Sequence, residues 1–488
     1  MEKIRIAFTG VFDLANYGDH LFPEVFETQM KKRGIDCEIT LFSCFSCQQA
    51  FEETRHVYSV YEIEKLHKET PFAAIVAGGG EIIHLNLFRH MMNQKMVEYP
   101  IFALWVVPSL LARKYGVKLI WNLPGIPFDF SMSQRMYVKK WIEEVDYLGV
   151  RNVQSKESLK RIGVEEDQIH LASDTAFLLK DSFVPDRSLL ERLGLEEGKR
   201  YVVVHVSKLC PESERGILIE TLNKVKAQGY EIVFLPLAYT NEDEKTAEFF
   251  NAMLEQPGKT WEKRLSLEEI VSILAFGSLY VGFSFHGAIT AVCYGRPVIA
   301  YDYAHNRKMK DLFDSLDCLD DYCVTAGQLS DRVDIFLSGQ MEQRPDLEKI
   351  QTDVREHFDA VAKVLRETGS RLSKEISCQD IIAFLAEQSR EQQIWSGEMG
   401  ELRDGYHREC EMRKAAEEEL QKLKEAHEFV CKEWTNTAKD LEGTLHQLNE
   451  SNAAREKLEL ELKNMQESVS WKMTEPMRRV FDKHKNNK

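Results

Sequence analysis

Between Lys3 and about Lys180, short apolar runs alternate with longer amphipathic stretches. Ile4–Phe8, Ile35–Leu41, Phe72–Val76, Val117–Trp121, Tyr147–Val150 and Ile169–Leu171 read as strands, with Leu21–Arg33 and Met136–Glu144 as helices between them. Runs that are apolar on both faces and alternate with helices predict a parallel sheet covered on both sides. The pattern restarts after a polar joint near Asp181–Lys199. Tyr201–Val206, Glu231–Leu235, Leu279–Gly282 and Pro297–Tyr301 are again strand-like, and Arg215–Gln228 and Ala288–Tyr294 are helical. The expectation is an α/β protein of two doubly wound domains, residues 1–180 and 181–388 with its closing helices, facing each other across a cleft. In such sheets ligands sit outside the carboxyl ends of the strands.

The composition changes after about Gln388. From Glu398 to Gln466 the chain is dominated by Glu, Lys, Leu, Gln and Ala and has no proline. Ala416, Leu420, Leu423, His427, Val430, Trp434, Thr437 and Leu441 follow 4-3 spacing. The register continues through Thr444, Leu448, Ser451, Arg455, Leu458, Leu462 and Met465 to Val469. This predicts a long helix or short coiled coil over residues 389–467, a route to a homo-oligomer, with a single helix packed on its own chain as the alternative. Gly443 and the polar seam entries weaken the pattern. A basic tail, 468–488, follows.

A length of 488 residues suits two or three domains. The 63 Lys+Arg against 79 Asp+Glu leave a net charge of −16, which argues against a protein held mainly by nucleic-acid phosphates but permits a local cationic pocket. No run reaches the roughly 18–20 apolar residues of a spanning helix, and the first residues read as a strand rather than a secretory leader. The 10 cysteines lack disulfide-framework spacing, which suits a reducing cytoplasm. Cys44-Phe45-Ser46-Cys47 is a lone C-x-x-C without a second ligand pair, so packing is expected there and no metal site.

Three turns carry candidate chemistry. Asn16-Tyr17-Gly18-Asp19 lies between the first strand and the first helix, where Asn16 and Asp19 can orient a polar ligand or cap the helix. Gly18 permits close approach there. Gly78-Gly79-Gly80-Glu81 follows a strand and leaves amides bare for a ligand or a packed helix; it is not a G-x-G-x-x-G fingerprint. Most informative is Val281-Gly282-Phe283-Ser284-Phe285-His286-Gly287-Ala288, continuing to Gly295-Arg296-Pro297. A strand ends there and a helix begins, so His286 stands at a helix amino end, where free amides and the dipole favour an anion. A histidine beside that anion can pass protons near neutral pH.

Together with Val150-Arg151, Ser155 and Asp174-Thr175-Ala176-Phe177-Leu178-Leu179, these blocks resemble, in order and spacing over residues 1–320, the polysaccharide pyruvyl transferase family. The resemblance implies two Rossmann-like domains similar to the GT-B glycosyltransferases. It also implies transfer of a pyruvyl group from phosphoenolpyruvate, as a ketal, onto two hydroxyls of a glycan or lipid-linked sugar. No cofactor beyond that co-substrate is expected. His286 is the candidate acid. Asn16, Tyr17, Gly18, Asp19, Gly79, Gly80, Glu81, Arg151, Ser284 and Gly287 are candidate substrate contacts, with Lys208 and Lys308 as anion partners. Family members usually carry arginine two residues before the histidine, where this chain has Ser284, and commonly arginine where it has Lys208. Serine supplies no charge and lysine no planar fork, which puts the donor in question. A GT-B-like nucleotide-sugar glycosyltransferase and a non-catalytic glycan-assembly scaffold are the alternatives. The segment Ser468–Arg479 resembles a Ser-Trp-Arg-x-Thr-x-Pro-Leu-Arg tail of bacterial surface-polysaccharide glycosyltransferases and implies docking on a partner or on the inner face of the membrane.

Overall fold

The structure, a computed structural model, describes residues 3–47, 50–52, 54–86, 88–92, 95–341, 346–367 and 378–468, with positions 473, 474, 478, 479 and 482 beyond them. In chain order the first strands are β1 (Ile4–Thr9), β2 (Cys37–Ser43), β3 (Val57–Ser59), β4 (Ala74–Ala77), the antiparallel hairpin β5 (Phe88–Met92) and β6 (Lys95–Tyr99), β7 (Lys118–Trp121), β8 (Tyr147–Val150) and β9 (Ile169–Leu171). Seven of them form a parallel sheet in the order β3-β2-β1-β4-β7-β8-β9. The second sheet is also parallel, in the order β11-β10-β12-β13-β14. Its strands are β10 (Tyr201–His205), β11 (Glu231–Phe234), β12 (Leu279–Gly282), β13 (Val298–Tyr301) and β14 (Tyr322–Cys323).

The central strands are apolar on both faces because both are buried, and their period of two divides them between separate cores. In β1, Ile6 and Phe8 face one apolar cluster while Ala7 faces another. In β10, Tyr201 and Val203 join the same cluster as Ile6 and Phe8, whereas Val202 and Val204 join a third. One core is therefore continuous between the two lobes. It is bridged by the first helix, Tyr17–Lys32, by the turn Thr175–Asp181 and by the helix Phe285–Cys293. The open cleft expected between the sheets is closed over most of its length by this packing. Tyr17 donates to or accepts from Thr290 across it at 2.9 Å. Main-chain bonds link Tyr17 and Ala15 of one lobe to Leu237 and Tyr239 of the other.

Strand order reverses between β1 and β4 in the first sheet and between β10 and β12 in the second. In sheets of this kind such reversals mark where ligands bind, outside the carboxyl ends of the strands. The turns after β1, β4 and β12 are those singled out in the sequence.

Helix Glu348–Arg366, expected to close the second domain, packs against the first lobe instead. Ile350, Val354, Phe358 and Val361 continue the shared core. Within this contact His357 is buried, with Nδ1 bonded to the Tyr147 hydroxyl at 2.9 Å and Nε2 to Asn122 Oδ1 at 3.0 Å. The final helix runs without interruption from Cys378 to Glu467. Residues to Gln392 belong to the α/β unit, and Gln393–Lys488 form a separate one. Most of the expected basic tail lies outside the described residues. Among the described residues no helix is long and apolar enough to cross a membrane.

Burial depresses the His357 imidazole to about 3. An unfolded histidine takes up its proton near 6.5, so the unfolded state binds more protons in between, and stability is lost as pH falls from about 6.5 toward about 3. His357→Gln should lower stability at neutral pH by about 1–3 kcal/mol. The gap from wild type should narrow as the pH falls to about 4.5, followed by urea titration at each pH. A gap that stays constant would rule out a neutral, buried imidazole.

Candidate active site

Six charged or titratable side chains, each supplied by the segment leaving a different strand, meet where the lobes join. Asp19 follows β1, Glu81 follows β4, Arg151 follows β8, Asp174 follows β9, His286 follows β12 and Lys308 follows β13. Parallel strands all point their carboxyl ends the same way, which is why residues so far apart in sequence converge.

Arg151 is the centre of the cluster. Its guanidinium lies 3.0 Å from Asp174 and 3.5 Å from Glu81, and it packs over the ring of Phe285 at 5.6 Å. Lys308 reaches the other oxygen of Glu81 at 3.4 Å. The buried Asp174 also accepts from the Ala176 amide, fixing the turn Thr175–Asp181. His286 directs Nε2 toward Asp174 at 3.6 Å, beyond hydrogen-bond range, and this buried nitrogen has no hydrogen-bond partner among the described residues. Asp19, behind the histidine, accepts from the Asn16 amide at 2.7 Å. Exposure rises from Asp174 at 2% through His286 at 14% to Lys308 at 33%, so the cluster opens to solvent on the Glu81–Lys308 side.

The carboxylates are held in different protonation states. Burial pushes Asp19 up to about 6, although His286, Arg151 and Lys308 each favour its charged form. Burial also opposes the charge on Asp174, but the close approach of His286, the Arg151 charge and the Ala176 amide overcome it and hold that group down at about 2. Glu81 is likewise lowered, with Lys308 and Arg151 outweighing desolvation. One acid that carries its proton near pH 6, beside one that stays ionised, divides the roles of proton holder and charge partner.

The glycines of these turns sit against side chains. The His286 ring lies directly on Gly18, where a Cβ would come 1.9 Å from Nδ1. Gly79 makes room for the Phe22 ring, Gly287 for the Tyr280 hydroxyl, and Gly80 takes a positive φ of 80° beside Asp19. Phe22 and Phe285 also meet the His286 ring edge to face. Tyr17, expected to touch substrate, is fully buried in the shared core with its hydroxyl spent on Thr290. Ser284 is the N-cap of the His286 helix, its hydroxyl accepting from the Gly287 amide at 3.2 Å. An arginine could not accept that bond, so the residue exchanges a cation for a cap. Lys208 is not brought to the cluster: it lies on an exposed turn, 3.6 Å from Glu242. Asp174 and Phe285, given no role from the sequence although both lie within its motif runs, are in the cluster. Cys44 is buried, which pushes its thiol up and leaves it inert.

A family model described as polysaccharide pyruvyl transferase matches residues 16–306. No curated protein matches the chain. Among solved structures, UDP-GlcNAc 2-epimerase from Methanocaldococcus jannaschii is similar at 13% identity, covering 74% of this chain and 99% of that one with a TM-score of 0.50. A putative UDP-N-acetylglucosamine 2-epimerase from Listeria monocytogenes gives 12% identity, 77% and 100% coverage, and a TM-score of 0.47. The first likeness bears on fold alone, a GT-B-like pair of parallel sheets with flanking helices.

Gly18→Ala tests whether the imidazole must sit on bare backbone. Steric displacement of the ring should lower turnover on the order of 100-fold with little change in melting temperature. Activity within about twofold of wild type would show that the ring tolerates displacement.

Proposed function

Because the match over residues 16–306 covers more than half of its 488 residues, the chain belongs to the polysaccharide pyruvyl transferase family, and we propose that it transfers a pyruvyl group from phosphoenolpyruvate to a pair of hydroxyls on a glycan or lipid-linked sugar, in the cytoplasm. The observation that carries this reading is the convergence of Arg151, Lys308 and a buried, unpartnered His286 Nε2 in one cluster that opens to solvent on its Glu81–Lys308 side. Two fixed cations suit a donor bearing phosphate and carboxylate, and charge-assisted bonds to both would orient it. His286, with Asp174 behind it, suits a proton donor whose charged form has a fixed counterion.

The chemistry balances with the chain's own residues. A sugar hydroxyl oxygen bonds to the central enol carbon as His286 gives a proton to the terminal methylene, making it a methyl group. That hydroxyl's proton restores the imidazole. The carbon–oxygen bond to phosphate then breaks, its electron pair leaving with phosphate, and the second hydroxyl closes the ketal while its proton leaves with the phosphate. Asp19 in its protonated form adds no negative charge to that of Asp174 and Glu81.

Thermal-shift titration tests the donor. Phosphoenolpyruvate should stabilise the protein and UDP should not, and His286→Gln should bind the donor but lose at least about 1,000-fold in transfer. Stabilisation by UDP alone would replace this reading with nucleotide-sugar chemistry, and by neither, with a glycan-binding role. Donor affinity should also rise as the pH falls through about 6 and Asp19 takes up its proton, and Asp19→Asn should flatten that profile. Ionisation of the donor phosphate is common to both proteins, so their difference isolates Asp19. Parallel profiles would remove Asp19 from donor binding.

A further inference from the structure

Helix Cys378–Glu467 leaves its 4-3 seam uncovered. From Leu420 to Met465 the large apolar seam residues are 51% to 79% exposed, with Trp434 the most exposed. This stretch is about 70 Å long at 1.5 Å per residue. A stripe that keeps a period of 3.5 rather than 3.6 matches a second helix wound around it, not the broader face that packs on a globular core.

We propose that this segment pairs with a second copy of the chain as an antiparallel two-stranded coiled coil, centred between Glu442 and Gly443. The order of seam residues distinguishes this arrangement from a parallel one. In a parallel, in-register pair every seam residue meets itself. Arg455 would face the partner's Arg455, His427 the partner's His427, and Thr437, Thr444 and Ser451 would form three weak layers alternating with those of Leu441 and Leu448. The only attractive flank would be Glu419 with the partner's Lys424, and an exposed pair of that kind contributes about 0.5 kcal/mol. Two like charges inside a seam cost more than that.

The antiparallel register places large residues on small ones. Leu441 meets the partner's Thr444, Trp434 the partner's Ser451, and Leu448 the partner's Thr437. Arg455 lies against the partner's Val430 and can extend its head to water, while His427 lies against the partner's Leu458. The ends close with Leu420 on the partner's Met465 and Leu423 on the partner's Leu462. Charges agree with this register as well. Lys424 flanks the partner's Glu459, twice by symmetry, and Glu433, Asp440 and Glu461 flank the partner's Ala454, Gln447 and Ala426, so no like charges oppose. Each polar seam residue thus favours the reversed orientation, the specificity role polar seam positions have in coiled coils.

Sedimentation of the full chain at micromolar concentration should give the mass of a dimer. Leu441→Asp combined with Leu448→Asp should halve it, with the melting transition of the α/β unit unchanged. Orientation is read with a short bismaleimide cross-linker that uses native Cys431. Asn452→Cys should yield a cross-linked dimer, because Cys431 flanks the partner's Asn452, whereas Ala426→Cys should not; a Cys431→Ser background removes the product. A monomeric wild-type chain would overturn the proposal and leave the helix to its own chain or another partner. Cross-linking through Ala426→Cys instead would overturn the antiparallel register. Both readouts are independent of the donor and of transfer activity.

Discussion

The structure of the site depends on one contact, the imidazole of His286 resting on the backbone of Gly18. The ring belongs to the second lobe and the glycine to the first helix of the first lobe, so the position of the candidate acid is set by how the lobes meet. That meeting is not a loose hinge. The same apolar cluster takes alternate residues from one face of each sheet, and the Tyr17–Thr290 bond crosses it. Thr290 also donates to the His286 carbonyl, so the phenol of one lobe and the turn that carries the imidazole are joined through a single hydroxyl. Close packing of this kind transmits displacement rather than absorbing it. A side chain at residue 18 would therefore disturb the chemistry before it disturbed the fold.

A second constraint is charge. Arg151, Lys308 and, when protonated, His286 face Asp19, Glu81 and Asp174. A buried guanidinium beside two carboxylates is fixed in place at the cost of being partly neutralised, and an incoming anion must compete with Glu81 for both cations. Glu81 is the most exposed of the three carboxylates and bonds to the most exposed cation, so the competition takes place at the mouth and leaves the Arg151–Asp174 pair intact. The raised pKa of Asp19 acts in the same direction, since a neutral carboxyl adds no repulsion.

Much of the fold was legible in the sequence because parallel strands buried on both faces appear as uninterrupted apolar runs. Tyr147–Val150, Ile169–Leu171 and Leu279–Gly282 coincide with their strands, and the turns after β1, β4 and β12 were found by their glycines and their position. The short strands Val57–Ser59 and Tyr322–Cys323 were missed, being too brief for any period to register. The destination of helix Glu348–Arg366 was also hidden, because an amphipathic stripe records that it is buried but not against what. In the site, the chemistry of the residue types was readable and their company was not. Gly18, Gly79 and Gly287 looked like ligand-facing glycines, yet each accommodates a ring, because a missing Cβ gives the same signal whether a substrate or a side chain comes close. Lys208 had the expected place after a strand but points to solvent with Glu242. Asp174 gave no signal of its own, since a single aspartate on a turn becomes part of a site only through partners that folding brings from strands elsewhere.

The two units spend polar residues in opposite ways. In the α/β unit the charged groups of the site form one network fed from several strand ends, in which the buried His286 Nε2 has no hydrogen-bond partner among the described residues. In the long helix the Thr437 and Thr444 hydroxyls bond back to the Glu433 and Asp440 carbonyls and Arg455 reaches Glu459 at 3.2 Å, yet these residues still interrupt a seam that leucines alone would make more stable. Their value lies in discrimination, because they penalise a copy meeting itself in parallel far more than one laid in reverse. The charged cluster at the strand ends and the polar-interrupted seam thus reflect the same physical rule: a polar group placed where it is costly selects among arrangements, and it does so by what it would be left facing in the wrong one.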